Sequence, residues 1–276
     1  MPNIGQYEAL FLDDLEEIER ALTKEIERLT ANLETKDGRL DDSEASLQQA
    51  LSRRRQVGSF LDVVDSDFTG RLEDALAAIG QETFDENNTF PNGFSPELAN
   101  QFEKIVSPRI QELKHVFGDV SDDVRKSIAY GVSTGLSRDK LNARIAKGIG
   151  KGIATARTVT TTAIFAANRQ ANVAGADDSG IDYVYFYSGP IDQLTRPFCL
   201  KWIEDEAGNQ AAYTREALKA LARDPLQKGQ PGQKLGDVAG YLGGYNCRHT
   251  LLPMMRIEAE EEEITIRDVE DVRRLM

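Results

Sequence analysis

Apolar residues from Tyr7 to about Lys36 recur at Phe11, Leu15, Ile18, Leu22, Ile26, Leu29 and Leu33, with Glu, Asp, Lys and Arg filling the intervals. Steps of three and four place these side chains on one face of a long amphipathic helix. Asp37-Gly38 breaks the pattern. It resumes through Leu40, Leu47, Leu51 and Val57, then passes Gly58 into Leu61, Val64, Phe68, Leu72, Leu76 and Ile79, so residues 1–86 read as a helical arm or hairpin. Such a pair either packs on itself and its neighbours or offers an oligomerisation surface.

Asn87 to Pro96 is dense in turn formers, and Ser95-Pro96-Glu97 then starts a helix that should end near Phe117, so 87–120 form a linker loop and helix. Ser121-Asp122-Asp123 suits a further helix start, because a hydroxyl and carboxylates satisfy and neutralise the amide end of a helix. Ala154 to Asn172 is helical and rich in small residues, which places it centrally in the C-terminal domain. Tyr183 to Tyr187 is the one clear strand, with Trp202-Ile203 and Thr250 to Leu252 as candidate neighbours, and Thr214 to Ala222 is a short capped helix. The segment Gln227 to Gln233 reads as a long loop. The fold class is therefore mainly α, with an α+β C-terminal domain over 121–256, a small sheet near the C-terminus and an acidic tail over 257–276.

Charge adds two constraints. The chain carries a formal −13, which opposes general adhesion to nucleic acid or an anionic membrane. No apolar run reaches the length of a membrane span, and the first residues lack a secretion signal, so a cytoplasmic origin and no membrane partner are expected. Between Lys140 and Ala176, however, there is no acidic residue, while Lys140, Arg144, Lys147, Lys151, Arg157 and Arg169 are present. This segment either contacts nucleic acid or an acidic partner, or it neutralises the protein's own acidic helices.

The rare residues collect in two places. Asp192 to Cys199 and Gly243 to His249 hold both cysteines and one of the two histidines. Cys199 and Cys247 fit three states: buried apolar thiols, a disulfide, or, with His249, a zinc site. Asp192 is a weak candidate for a fourth ligand. Arg157, Arg196 and Arg248 suit internal bracing of carboxylates or carbonyls, and a catalytic alternative would use His249 as acid or base with these arginines steadying a phosphate.

Taken in order, Arg157-Thr158, Ala167 to Ala171, Asp192 with Thr195-Arg196-Pro197-Phe198-Cys199, and Tyr245-Asn246-Cys247-Arg248-His249 resemble the minor head (head morphogenesis, Mu F-like) protein family of tailed bacteriophages over about residues 120 to 256. The resemblance implies a structural virion component found in the head, made in the host cytoplasm, and associated with portal or capsid. It would be present in several copies and act in head assembly or genome delivery. It also implies that Arg157, Thr158, Asp192, Thr195, Arg196, Cys199, Asn246, Cys247, Arg248 and His249 form a structural knot, with no catalytic residue. Two departures stand out: Val159 where many members have Glu, and Gly243-Gly244 where many have His. The alternatives are a phage-encoded RNase or nucleotidyl-type transferase toxin domain, and a transient assembly scaffold.

Overall fold

A computed structural model describes residues 3–31, 33, 35–41, 44–86, 96–204, 208–221, 223–224, 226 and 242–276. The turn-rich segment 87–95 and the loop predicted over 227–233 lie outside the described residues. Four long helices dominate: α1 (Ile4–Ala31), α2 (Glu44–Glu86), α3 (Pro96–Ser133) and α4 (Arg138–Ser179). Later, among the described residues, come four short ones, α5 (Pro197–Ile203), α6 (Arg215–Leu221), α7 (Arg256–Glu261) and α8 (Val269–Leu275). The protein is thus mainly α with a small sheet, as its patterning predicts. Among the described residues no helix is long and apolar enough to cross a membrane.

The chain divides into two compact units, and neither is a single run of sequence. The first comprises Ala9–Glu73 and Ile110–Thr160, the second Met1–Glu8, Asp74–Arg109 and Thr161–Met276. Consecutive segments such as 1–86 and 121–256 therefore do not coincide with the units.

The first unit is a helical bundle. Leu15, Leu22, Ile26 and Leu29 of α1, Leu61, Phe68 and Leu72 of α2, Leu113, Phe117 and Val124 of α3, and Leu141, Ile145 and Ile149 of α4 are all buried. Each contributes about 1.5–3 kcal/mol by leaving water. Phe68 meets Phe11 and Phe117 edge-on, with ring centroids 5.5 and 5.8 Å apart. Close helix approach explains Gly152: a Cβ there would lie 2.0 Å from Val120 Cγ2.

Two local expectations fail in this unit. Leu40 belongs not to a helix but to a hairpin of β1 (Thr35–Lys36) and β2 (Arg39–Leu40), turned by Asp37 and Gly38 at φ 52° and 75°. Two left-handed residues in succession match the twist of paired strands, so the turn makes a hairpin where sequence showed only a break. Ser121 starts no helix either, because α3 runs through it and buries its side chain. The stripe Leu113, Phe117, Val120, Val124, Ile128 is continuous across that point, and its burial outweighs a capping signal that stabilises by about 1 kcal/mol.

The second unit carries the sheet, in the order β5-β3-β4-β6. Strand β3 (Tyr183–Ser188) pairs antiparallel with β5 (Thr250–Met255) from Tyr183↔Met255 to Ser188↔Thr250. On its other side it meets β4 (Ala212–Tyr213), which pairs in parallel with β6 (Ile266–Arg267). Every residue from Tyr183 to Tyr187 is buried, so both faces of β3 are covered. Among the described residues β5 is an edge strand, a position where Pro253 is tolerated.

Trp202 and Ile203, expected in a strand, are instead the end of α5. Pro197 occupies its first turn, where a missing N–H costs nothing, and Trp202 is fully buried with its indole N–H on Asp224 at 2.9 Å. Thr214 caps α6 as predicted, accepting from the Ala217 amide at 3.1 Å. The acidic tail folds as α7, β6 and α8. Asp268 caps α8 through a reciprocal capping box with Asp271, so Asp268→Ala should lower the unit's stability by about 1 kcal/mol in urea unfolding, against no change for Glu261→Ala.

Candidate structural clamp and metal-ligand cluster

Three elements of the second unit meet at the two cysteines: the end of β3, the loop leading into α5, and the loop entering β5. The first loop is built locally. Asp192 Oδ1 accepts from the Leu194 amide at 2.9 Å, and Thr195 Oγ1 accepts from the Asp192 amide at 2.8 Å while donating to the Pro190 carbonyl at 3.1 Å. That turn delivers Arg196 and then Cys199 on the first turns of α5.

The second loop is sharply folded, with Gly243 at φ 80°, Gly244 at 77° and Asn246 at 55°. Glycine adopts such angles freely and asparagine tolerates them. Gly243 also has no room for a side chain: a Cβ would lie 2.2 Å from Cys247 Sγ and 2.4 Å from the Tyr187 hydroxyl. Gly189 is confined in the same way by His249.

Arginines tie the loops together. Arg196 donates to the Gly243 carbonyl at 2.7 Å, and Arg248 to Asp192 Oδ2 at 2.5 Å. Arg169, on α4 and fully buried, donates to the His249 carbonyl at 2.6 Å and the Cys247 carbonyl at 3.4 Å. The Asn246 amide donates to Thr162 Oγ1 at 2.9 Å, and the Thr250 hydroxyl donates to Asn168, so α4 holds the β5 loop along two turns.

Inside this frame the two sulfurs are 3.9 Å apart, both in free thiols and both buried. The Tyr187 hydroxyl lies 3.2 Å from Cys199 Sγ and 2.9 Å from Cys247 Sγ, and His249 Nδ1 is 3.5 Å from Cys247 Sγ. The imidazole leans on the Tyr187 ring at 5.2 Å, and its Nε2 is enclosed with no hydrogen-bond partner. The hydrogen bond between the thiols, then the contact from His249 and the nearby Arg169 charge, holds Cys247 well below the usual thiol range despite its burial. The same bond, followed by burial, pushes Cys199 up. Burial, then the adjacent thiols, pushes Tyr187 well above the usual phenol range. Cys199, Cys247 and His249 could hold a metal ion, since their ligand atoms all lie within 4.8 Å of one another.

The structure brings together Asp192, Thr195, Arg196, Cys199, Asn246, Cys247, Arg248 and His249. Arg157 and Thr158 lie in a different compact unit from these residues. In that helical unit Arg157 pairs with Glu16 at 3.1 Å and the Thr158 hydroxyl donates to the Ala154 carbonyl. Asp192 is not part of that ligand group; its carboxylate accepts from Arg248 and from the Leu194 amide. Arg169, expected as a nucleic-acid or partner contact, is a buried brace of the clamp. Sequence reasoning also missed Tyr187 and Thr162. The signal for Arg169 was present: a cation flanked by Ala166-Ala167 and Ala171 within the small-residue helix already placed at the centre.

The remaining basic residues, Lys140, Arg144, Lys147 and Lys151, are exposed along α4 at steps of four, three and four. Arg144 lies over the Tyr130 ring at 4.7 Å, while Lys151 borders a cleft that also holds Asp119, Asp122, Asp123 and Lys126. No family model, no curated protein and no solved structure matches this chain, so its site is read from its own chemistry.

Proposed function

We propose that the chain is a structural minor head protein of a tailed bacteriophage, made in the host cytoplasm and carried in the virion head. Two supports combine: the ordered motifs that resemble that family, and the use to which those motif residues are put. The observation that carries the reading is how the polar groups of the clamp are spent. Arg169, Arg196 and Arg248 are engaged on carbonyls or on Asp192, and His249 is 3% exposed. A general acid or base must reach a substrate proton, and a phosphate-steadying arginine must present its fork outward. Residues arranged in this way fasten loops, which favours a particle subunit over the RNase or nucleotidyl-type transferase alternative.

In such a subunit the portal or major capsid protein is the expected partner, with several copies per particle. The exposed line Lys140, Arg144, Lys147 and Lys151 would face packaged DNA or an acidic portal surface, while the net charge of −13 keeps the rest of the molecule from adhering to the genome. One zinc ion would be the cofactor, held by Cys199, Cys247 and His249.

Quantitative mass spectrometry of purified heads tests the assignment. The chain should remain in genome-filled heads and co-purify with portal, and Lys140→Glu/Lys147→Glu, which spares the aspartate-lined cleft at Lys151, should reduce its copy number several-fold without changing its unfolding midpoint. A chain present in immature heads but lost from mature ones would establish the scaffold alternative. RNA or nucleotide turnover abolished by His249→Ala would establish the enzyme.

A further inference from the structure

We propose that Cys199, Cys247 and His249 form a closed structural site for a single thiophilic ion, zinc, with the Tyr187 hydroxyl in the fourth position. Tetrahedral zinc, with bonds of about 2.3 Å to sulfur and about 2.0–2.1 Å to nitrogen, requires its sulfurs about 3.8 Å apart and each sulfur about 3.5 Å from the nitrogen. The protein places the sulfurs at 3.9 Å and Cys247 Sγ at 3.5 Å from His249 Nδ1. Two of the three edges among these ligands thus match a tetrahedron, and the third, from Cys199 Sγ to the His249 ring nitrogen, lies within 4.8 Å. Two thiols packed only as apolar groups have no need of an imidazole nitrogen directed at them.

The fourth donor follows from what surrounds the sulfurs. The Tyr187 oxygen, 3.2 and 2.9 Å from them, is on hand, whereas Asp192 is committed to Arg248. The donor set contains two sulfurs, one nitrogen and no carboxylate, which selects zinc over magnesium or calcium, since those hard ions take oxygen ligands. All four side chains are buried, so the site keeps no open position for a substrate and is structural.

The backbone supports it as an outer shell does. Arg169 holds the carbonyls of Cys247 and His249, fixing two ligands on one loop, and α5 supplies the third ligand from the other loop. The ion would therefore pin the α5 loop to the β5 loop and take the place of a disulfide in a reducing compartment. This inference rests on geometry alone and holds or fails apart from the virion assignment.

The test uses the full chain purified under reducing conditions. Elemental analysis should give about one zinc per chain. Exchange into cobalt(II) should produce sulfur-to-metal charge-transfer absorption in the near ultraviolet and strong tetrahedral bands in the visible. Cys199→Ser and Cys247→Ser should each weaken the charge-transfer band and lower zinc content at least tenfold, and Tyr187→Phe should keep both sulfur bands while shifting the visible ones. Because the serine variants could misfold, the wild-type cobalt spectrum decides independently. A folded wild-type chain with no bound zinc and no charge transfer on cobalt titration would overturn the proposal. So would a chain two mass units lighter from a Cys199–Cys247 disulfide.

Discussion

Replacing Arg169 by methionine should destabilise the protein by about 3–5 kcal/mol, because the guanidinium is fully buried and donates to two backbone carbonyls of the clamp. Methionine keeps most of the apolar stem, so the change isolates the guanidinium. Its loss relieves the cost of burying a charge but strands the carbonyls of Cys247 and His249, which receive its hydrogen bonds at 3.4 and 2.6 Å. Each buried carbonyl left without a donor costs about 1–3 kcal/mol, and removing one side of a buried polar network costs more than replacing both. Arg169→Lys should rescue only part, because both bonds come from the single nitrogen Nη1 and the shorter, more strongly hydrated ammonium must be buried at the same point to replace it. Urea unfolding followed by Trp202 fluorescence measures the change. A shift below about 1 kcal/mol for Arg169→Met would mean that the carbonyls find other donors.

Gly243→Ala should cost about 3–5 kcal/mol, the larger part of it steric. At φ 80° an L-residue pays about 1–2 kcal/mol for the left-handed backbone alone. The added methyl would then sit 2.2 Å from Cys247 Sγ and 2.4 Å from the Tyr187 hydroxyl, so either the thiol pair or the strand end must move. Gly208 is the control. It has φ 81° with nothing within 4 Å of a Cβ, so Gly208→Ala should show the backbone cost alone. If thermal unfolding finds the two substitutions equal, the loop at Gly243 does not close on the sulfurs.

The long helices were legible because their period is written in residues that burial enforces: Leu15, Leu22, Ile26 and Leu29 recur at helical steps and all are buried. Local start and stop signals were less reliable. Ser121-Asp122-Asp123 carries a good capping pattern, yet the apolar stripe on either side of it runs on, and tertiary packing wins. Trp202-Ile203 favours a strand by residue type, but Pro197 sets a helical turn, and the indole N–H finds Asp224 only from α5.

The clamp was legible in membership and not in wiring. Cys199, Cys247, His249, Arg196, Arg248 and Asp192 stood out as rare or multivalent residues in two short loops. Arg169 did not, because it lies among cations whose neighbours Lys147 and Lys151 are exposed. Nothing in a linear charge count separates a buried guanidinium from exposed ammonium groups. The difference lies in its flanks, Ala166-Ala167 and Ala171, which pack on every side. Arg157 failed in the opposite way: it stands in a motif-like position, but its carboxylate partner is Glu16 on α1, a pairing that depends on bundle geometry. Tyr187 was read only as a strand residue, since its hydroxyl becomes chemically relevant only when two loops distant in sequence fold over it.

The most direct measurement is a cryo-electron microscopy map of intact mature particles at side-chain resolution. It should place this chain in the head, with the Cys199 and Cys247 sulfurs in one continuous density that also reaches His249 and with Arg169 against the carbonyls of that loop. Mature heads lacking the chain, or a chain whose two loops stand apart with the cysteines exposed, would contradict the account.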